Sequence, residues 1–287
     1  MGQAWRRRIG NGLTYLALTA YALFTLFPLY WVVLTSFKKE IDAFTWPPKF
    51  FDFEPTLDNY ARVFNLLPDS TLAIKADFVK YFTNSILIVG GALVLTVVLG
   101  ILFSYALTRF RFYGREFFAF IMVAVKIIPL LVLLLPLYII YRDWGLYNTY
   151  PGMILVYLYI GIPFFVWFLR SHIASIPPAL DEAARIDGCS TLQILWHVII
   201  PVILPGIVSS ALLVVIYMWN NFLFVLILGG QGWETVTVGI YNYVGYFQTS
   251  YGGLAASSVI AMAPVIIIGI AIQKYIVSGL TSGAVKG

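Results

Sequence analysis

The chain has 287 residues, 61% hydrophobic and 11% charged, where an ordinary soluble domain carries roughly 25% charged residues. So few charges cannot clothe a water-soluble surface, and the net charge of +5 is scattered along the edges of apolar blocks, a pattern of membrane orientation rather than nucleic-acid binding. Cys189 is the only cysteine, which excludes an intrachain disulfide and a metal site built on cysteine pairs.

About 20 apolar helical residues cross about 30 Å of hydrocarbon, and the apolar blocks predict an all-α integral membrane protein of six spans forming one membrane domain, residues 1–287. The first span, Gly12 to Phe37, follows Arg6, Arg7 and Arg8; it is too long for a signal peptide and reads as a retained helix. The loop from Lys38 to Phe78 carries Pro47, Pro48, Pro55 and Pro68, so it is expected to be extended or turn-rich with at most short helices. The second span is Phe82 to Leu107 and the third Phe117 to Tyr141. Within the third, Lys126 lies about 15 Å along the helix, near the bilayer midplane. A buried ammonium there should face protein or a water-filled path; it is a candidate for the translocation pathway or its gate, or equally a lysine satisfied by carbonyls that Pro129 frees.

The fourth span is Tyr150 to Leu169 and the fifth Val202 to Leu228. Between them lies Ser175-Ile-Pro-Pro-Ala-Leu-Asp-Glu-Ala-Ala-Arg-Ile-Asp-Gly-Cys-Ser-Thr-Leu-Gln-Ile-Leu-Trp-His-Val-Ile-Ile-Pro201, read as two short helices joined by a hinge. Ser175 is the expected N-cap, Pro177 and Pro178 suit a helix start, and Gly188 can take the left-handed geometry that ends the first helix. Ser190 or Thr191 would cap the second, and Pro201 marks entry to the next span. Trp219, Asn220 and Asn221 form a polar group within the fifth span, suited to sugar hydroxyls and equally to hydrogen bonds between helices. The sixth span is Ala255 to Val277. With the N-terminus in the cytoplasm, the inside segments hold Arg109, Arg111, Arg115, Arg170, Arg185, Lys274 and Lys286 besides the first three arginines, whereas the two short outer loops hold only Arg142; the first outer loop runs against this with Lys38, Lys39, Lys49, Arg62 and Lys75, although its seven acids leave it net negative. Both termini and the segment from Ile173 to Trp196 are then cytoplasmic.

Glu182, Ala183 and Ala184, then Gly188, Val198, Ile200 and Pro201, resemble in type and spacing the motif of binding-protein-dependent ABC importer permeases. Ser36-Phe-Lys-Lys, Leu57-Asp-Asn-Tyr60, Tyr105-Ala-Leu-Thr-Arg-Phe-Arg-Phe112, Trp219-Asn-Asn-Phe222 and the ending from Gln273 to Gly287 are similar to the maltose-type carbohydrate subfamily, in particular its second, six-span permease subunit. The resemblance implies a coupling helix seated in a partner ATPase through Glu182, Ala183, Ala184, Arg185, Asp187 and Gly188. It also implies a C-terminal tail, about 278–287, that reaches the ATPase dimer through Gly279, Thr281, Gly283 and Lys286. The segment from Gly229 to Gly253, with Trp233, Tyr241 and Tyr243, is similar to the loop that reaches the binding protein, though such aromatics also suit a membrane-interface belt.

The implied assembly contains a homologous permease, two ATPase subunits and an extracytoplasmic solute-binding protein in the inner membrane of a bacterium or archaeon. The cargo would be a carbohydrate-like solute. No Gly-x-x-x-x-Gly-Lys-Ser/Thr loop occurs, so this chain is expected to be no enzyme and to bind no cofactor, with ATP and Mg on the partner subunits. A secondary carrier or facilitator is the competing function. Such carriers often keep acidic residues inside the bilayer, whereas the acids here map to loops or span ends.

Overall fold

A computed structural model describes residues 3–67, 77–244 and 249–284. Among them the chain is helical, with no named strand: α1 (Gln3–Ser36), α2 (Glu40–Ala43), α3 (Asp58–Val63), α4 (Phe78–Arg109), α5 (Arg115–Ile127), α6 (Leu130–Asp143), α7 (Tyr150–Ala174), α8 (Ala179–Ile186), α9 (Thr191–Trp219), α10 (Leu223–Leu228), α11 (Val236–Tyr241) and α12 (Tyr251–Ala284). Helices α1, α4, α7, α9 and α12 are long and apolar enough to cross a membrane, and α5 with α6 supplies a sixth crossing if the bent pair is one span. Packing divides the chain into two units, Met1–Phe78 with Ile240–Met262, and Val79–Gly239 with Ala263–Gly287.

In the first unit, side chains from Gly10 to Tyr30 are all exposed around α1. An apolar helix exposed on every side requires lipid or another protein chain around it. Beyond α1 the chain turns back through short helices, as the prolines predict, and polar groups fix the turn. Asn59 donates to the carbonyls of Ser36 and Lys38 at 3.0 and 2.7 Å. The buried Lys38 ammonium donates to the Lys49 carbonyl and lies 4.1 Å from the centre of the Trp31 ring. Burial pushes the Lys38 ammonium below its usual lysine range, and Asp42 partly offsets that. The Glu40 carboxylate accepts the Tyr251 and Gly252 amides at 2.6 and 3.1 Å, placing negative charge at the helix end that favours it.

In the second unit α7 is the most enclosed span, and it packs mainly on α9 and α5. Glycine makes the close approach feasible: a side chain at Gly206 of α9 would come within 2.6 Å of the His172 ring on α7. Polar side chains tie the segment after α10 to the start of α4. Asn84 donates to the Gly232 and Glu234 carbonyls, each at 3.0 Å, and the Ser85 hydroxyl accepts the Val236 amide at 2.8 Å.

Two expected spans are interrupted. The third is not one straight helix: α5 and α6 meet at 102°. Pro129 disfavours α geometry at the residue before it, and here both Ile128 (ψ 123°) and Pro129 (ψ 126°) are extended, which redirects the axis. The fifth ends at Trp219 rather than Leu228. The Asn220 amide bonds back to the Ile216 carbonyl at 2.8 Å, the Asn221 carbonyl is taken by the Thr237 hydroxyl at 2.9 Å, and the chain unwinds before α10 starts.

Candidate functional site

The loop between α7 and α9 is built by capping. Ser175 does not begin α8; it closes α7, its hydroxyl donating to the His172 carbonyl at 2.7 Å. Pro178 is the residue before α8, and its missing N–H is of no consequence at a helix start. The other end follows the expectation for Gly188, which sits at φ +85°. Its amide donates to the Arg185 carbonyl and the Cys189 amide to that of Ala184, each at 3.0 Å. That pair of bonds is the Schellman arrangement, which satisfies two orphan carbonyls at a helix terminus. A side chain at Gly188 would touch nothing within 4 Å, so backbone conformation, not space, requires glycine there.

Of the two candidate caps, Ser190 is the one used. Its hydroxyl accepts the Gln193 amide while the Gln193 side chain takes the Ser190 amide, a full capping box. The helix so begun does not stop before Pro201. It continues into the span through a π-helical stretch, Ile194–Ile199. Pro201 has no N–H for the His197 carbonyl, and the wider turn just before it accommodates that missing bond.

The two faces of α8 differ in kind. Glu182, Ala183, Arg185, Ile186 and Asp187 are exposed, whereas Asp181 and Ala184 are buried. No ion pair links Glu182 to Arg185, so both charges remain available to a partner. Ile186 is 87% exposed, an apolar anchor at the tip of a polar face that the sequence reading left out. Beneath α8, the Tyr105 hydroxyl donates to Asp181 Oδ1 at 2.9 Å. Arg109 Nη2 donates to the Ile176 carbonyl at 3.0 Å. Arg109 Nε lies 3.0 Å from Asp181 Oδ2, with side chains only 8% and 6% exposed. That last contact is an ion pair rather than an aligned hydrogen bond, since neither atom has a partner by angular geometry. The signal for this cluster was the i,i+4 spacing of Tyr105 and Arg109, which puts both on one face of α4.

Lys126 projects from α5, and its Nζ donates to the Ile160 carbonyl of α7 at 2.7 Å. The carbonyl it satisfies thus belongs to the neighbouring helix and not to the break at Pro129. The ammonium lies 4.8 Å from the centre of the Tyr217 ring and 5.9 Å from that of Phe164, rings that stack on each other at 5.1 Å. Lys126, Met122, Phe164, Trp167 and Phe168 border a cavity of about 270 Å³.

Trp219 is buried with its ring edge-on to Phe82 at 5.7 Å. With Asn220 and Asn221 it marks the end of α9 rather than the middle of a span. Trp233 is half-buried on the Tyr150 ring at 5.1 Å. Tyr243 is buried and Tyr241 exposed, so Tyr241 is the most exposed of these three. Gly279, Thr281 and Gly283 lie on the backbone of α12; Lys286 lies outside the described residues.

Fold and site together define a polytopic helical membrane protein that carries an exposed polar helix on a loop between two spans. A family model described as binding-protein-dependent transport system inner membrane component matches residues 96–282. The trehalose/maltose transport system permease protein MalG of Thermococcus litoralis is 36% identical over 268 residues, covering 93% of each chain. The sulfoquinovosyl glycerol transport system permease protein SmoH of Agrobacterium fabrum is 32% identical over 279 residues, covering 97% of this chain and 95% of that one. In fold, the chain is similar to a subunit of a bacterial ABC transporter involved in the import of the acidic polysaccharide alginate. The TM-score is 0.75 at 24% identity, over 93% of this chain and 96% of that one. The chain belongs to the binding-protein-dependent transport system inner membrane components and is a permease subunit of an ABC importer.

Proposed function

We propose that this permease carries a carbohydrate or a related polar solute, and that it is the second, six-span subunit of a heterodimer with a homologous permease. Two separate ATPase subunits hold ATP and Mg, and an extracytoplasmic binding protein delivers the solute. Relatives named for trehalose, maltose, sulfoquinovosyl glycerol and diacetylchitobiose transport support the solute class. Both termini and the segment from Ile173 to Trp196 face the cytoplasm, in keeping with the arginine distribution.

The observation that carries this reading is the two-faced α8. Its buried side holds it to the membrane helices, while Glu182, Ala183, Arg185 and Ile186 face outward from a helix closed by a left-handed glycine. Small Ala183 lets a partner backbone approach, the charges set register and Ile186 offers an apolar knob. ATP-driven closure of the ATPase pair moves α8, and the membrane path alternates between its two openings. Lys126, with Trp219, Asn220 and Asn221 near the end of α9, belongs to that path or its gate, and Tyr241 contacts the binding protein. The tail residues Gly279, Thr281, Gly283 and Lys286 contact the ATPases.

Purification of the native complex through a tag on this chain tests the assembly. Copurification of an ATPase and a second permease, and a carbohydrate in the associated binding protein, are the expected results. Solute flux from the reconstituted chain alone would contradict the proposal.

A further inference from the structure

An exposed helix that receives motion transmits it only as well as it is attached, and besides its packing on the Ile194–Ile199 stretch of α9 α8 has three links to the membrane helices. Two are covalent: the Ser175–Pro178 segment from α7 and the Asp187–Ser190 segment to α9. The second passes through Gly188, a left-handed turn with no side chain packed on it. The third is not covalent. Tyr105 and Arg109, from the last two turns of α4, grip Asp181 on the underside of α8, and Arg109 also takes the Ile176 carbonyl in the α7–α8 joint.

Each charge of this third link suits its place, Arg109 at the C-terminal end of α4 and Asp181 in the first turn of α8. Both lie out of water, where Coulomb attraction is strong and geometry-specific, and where parting them strands two buried charges. Such a contact holds or breaks as a unit. A buried pair of this kind is replaceable by apolar side chains with little loss of stability, so stability alone does not call for it.

We infer that Tyr105, Arg109 and Asp181 form a latch that makes α4 follow α8, so that motion received by the α7–α9 loop reaches a third span that the loop is not part of. Arg109 and Asp181 are positioning residues of the coupling step. The inference rests on the coupling reading of α8 given above and adds the route by which α4 is recruited.

The test uses the native complex purified through a tag on this chain, with two cysteine reporters carrying nitroxide spin labels, attached in detergent and read by electron paramagnetic resonance with and without ATP and vanadate. Native Cys189 reports the loop. Val98→Cys, on an exposed position of α4 and in a Cys189→Ser background, reports α4. The decisive variant is the apolar pair Arg109→Met with Asp181→Leu, which keeps bulk at both positions and removes the directional link. The expected result is a complex that retains its ATPase subunits and the nucleotide response of Cys189. Its nucleotide response at position 98 falls by about fivefold or more, the lower end of ordinary allosteric coupling factors. A full response at position 98 in that variant would mean the cluster is only structural and would overturn the inference.

Should the apolar pair fail to assemble, Tyr105→Phe decides. It keeps the edge-to-face packing on Phe110 and deletes one contact to Asp181; a reduced response at position 98 supports the latch and an unchanged one overturns it. Glu182→Lys separates the two claims. If it abolishes the loop response while the latch variants behave as wild type, the latch alone is wrong. If the wild-type complex shows no nucleotide response at either reporter, the coupling reading and the latch fall together.

Discussion

Arg109 and Lys126 are cations of the same packing unit, the first with its side chain enclosed and the second exposed on its helix, and they are satisfied in opposite ways. Arg109 has a carboxylate and a backbone carbonyl at the end of α4, and the carboxylate is held in turn by the Tyr105 phenol. Lys126 has a single carbonyl and the faces of two rings, with no anion paired to it among the described residues. The first arrangement is closed, and removing one partner strands the other. The second is open-ended, since an ammonium held by a carbonyl and a π-face keeps capacity for a polar visitor or a changed helix position. The paired charge is fixed in place; the unpaired one, which we propose belongs to the path or its gate, is not.

The comparison predicts a large gap between two superficially similar changes. Arg109→Met should destabilise the chain by about 3–5 kcal/mol, because Asp181 remains buried without its cation. Lys126→Met should change stability by about 1 kcal/mol or less, since only one carbonyl loses a neutral-acceptor bond. Thermal unfolding of the detergent-solubilised protein checks both, and equal losses would erase the distinction. The lysine change should instead appear in transport or in ATPase stimulation by the loaded binding protein, at about fivefold, the equivalent of ~1 kcal/mol of cation–π contact. Wild-type rates for both would leave Lys126 a structural residue.

Gly188→Ala is expected to cost about 1–2 kcal/mol, the penalty for a non-glycine residue in left-handed geometry, with no steric component because nothing lies near the missing side chain. A loss no larger than that of Ala183→Gly, measured by the same melt, would count against the strained turn.

The smallest effect is expected in the first loop. Lys39 and Glu54 form an exposed pair in which Glu54 is held below its ordinary value of 4.5 by Lys39, and Lys39 is raised above 10.5 by Glu54. A lowered carboxylate contributes above its unfolded pKa and is lost as pH falls through its folded one. A raised lysine contributes below its unfolded pKa and is lost as pH rises through its folded one. The pair is therefore fully formed between those ordinary values, yet solvent screens it. Lys39→Ala should leave the melting temperature unchanged across that window, and a pH-dependent loss there would show that the loop relies on surface charge.

What was legible in the sequence was whatever local chemistry dictates. Apolar blocks gave the long helices, Gly188 declared its left-handed turn, and Ser190 declared its cap. Pro129 announced a break that the apolar run around it concealed, because hydropathy counts residues and ignores the backbone before a proline. Asn220 and Asn221 were read as polar groups inside a span, although side-chain bonding to the backbone favours ending one. The latch under α8 joins positions 105, 109 and 181, and no local pattern ties an arginine on one helix to an aspartate so far along the chain. Ser175 misled because a serine before two prolines suits the start of one helix as well as the end of another.

The central claim is that α8 passes ATPase motion to the spans, and uptake by Glu182→Lys and Gly188→Val tests it most directly. Both variants would be expressed in cells lacking the chromosomal copy, with uptake measured for the solute found in the copurified binding protein. The account predicts that both insert in the membrane at wild-type levels and lose uptake, through weakened ATPase attachment or failure of the loaded binding protein to stimulate hydrolysis. Wild-type uptake by both well-inserted variants would contradict it.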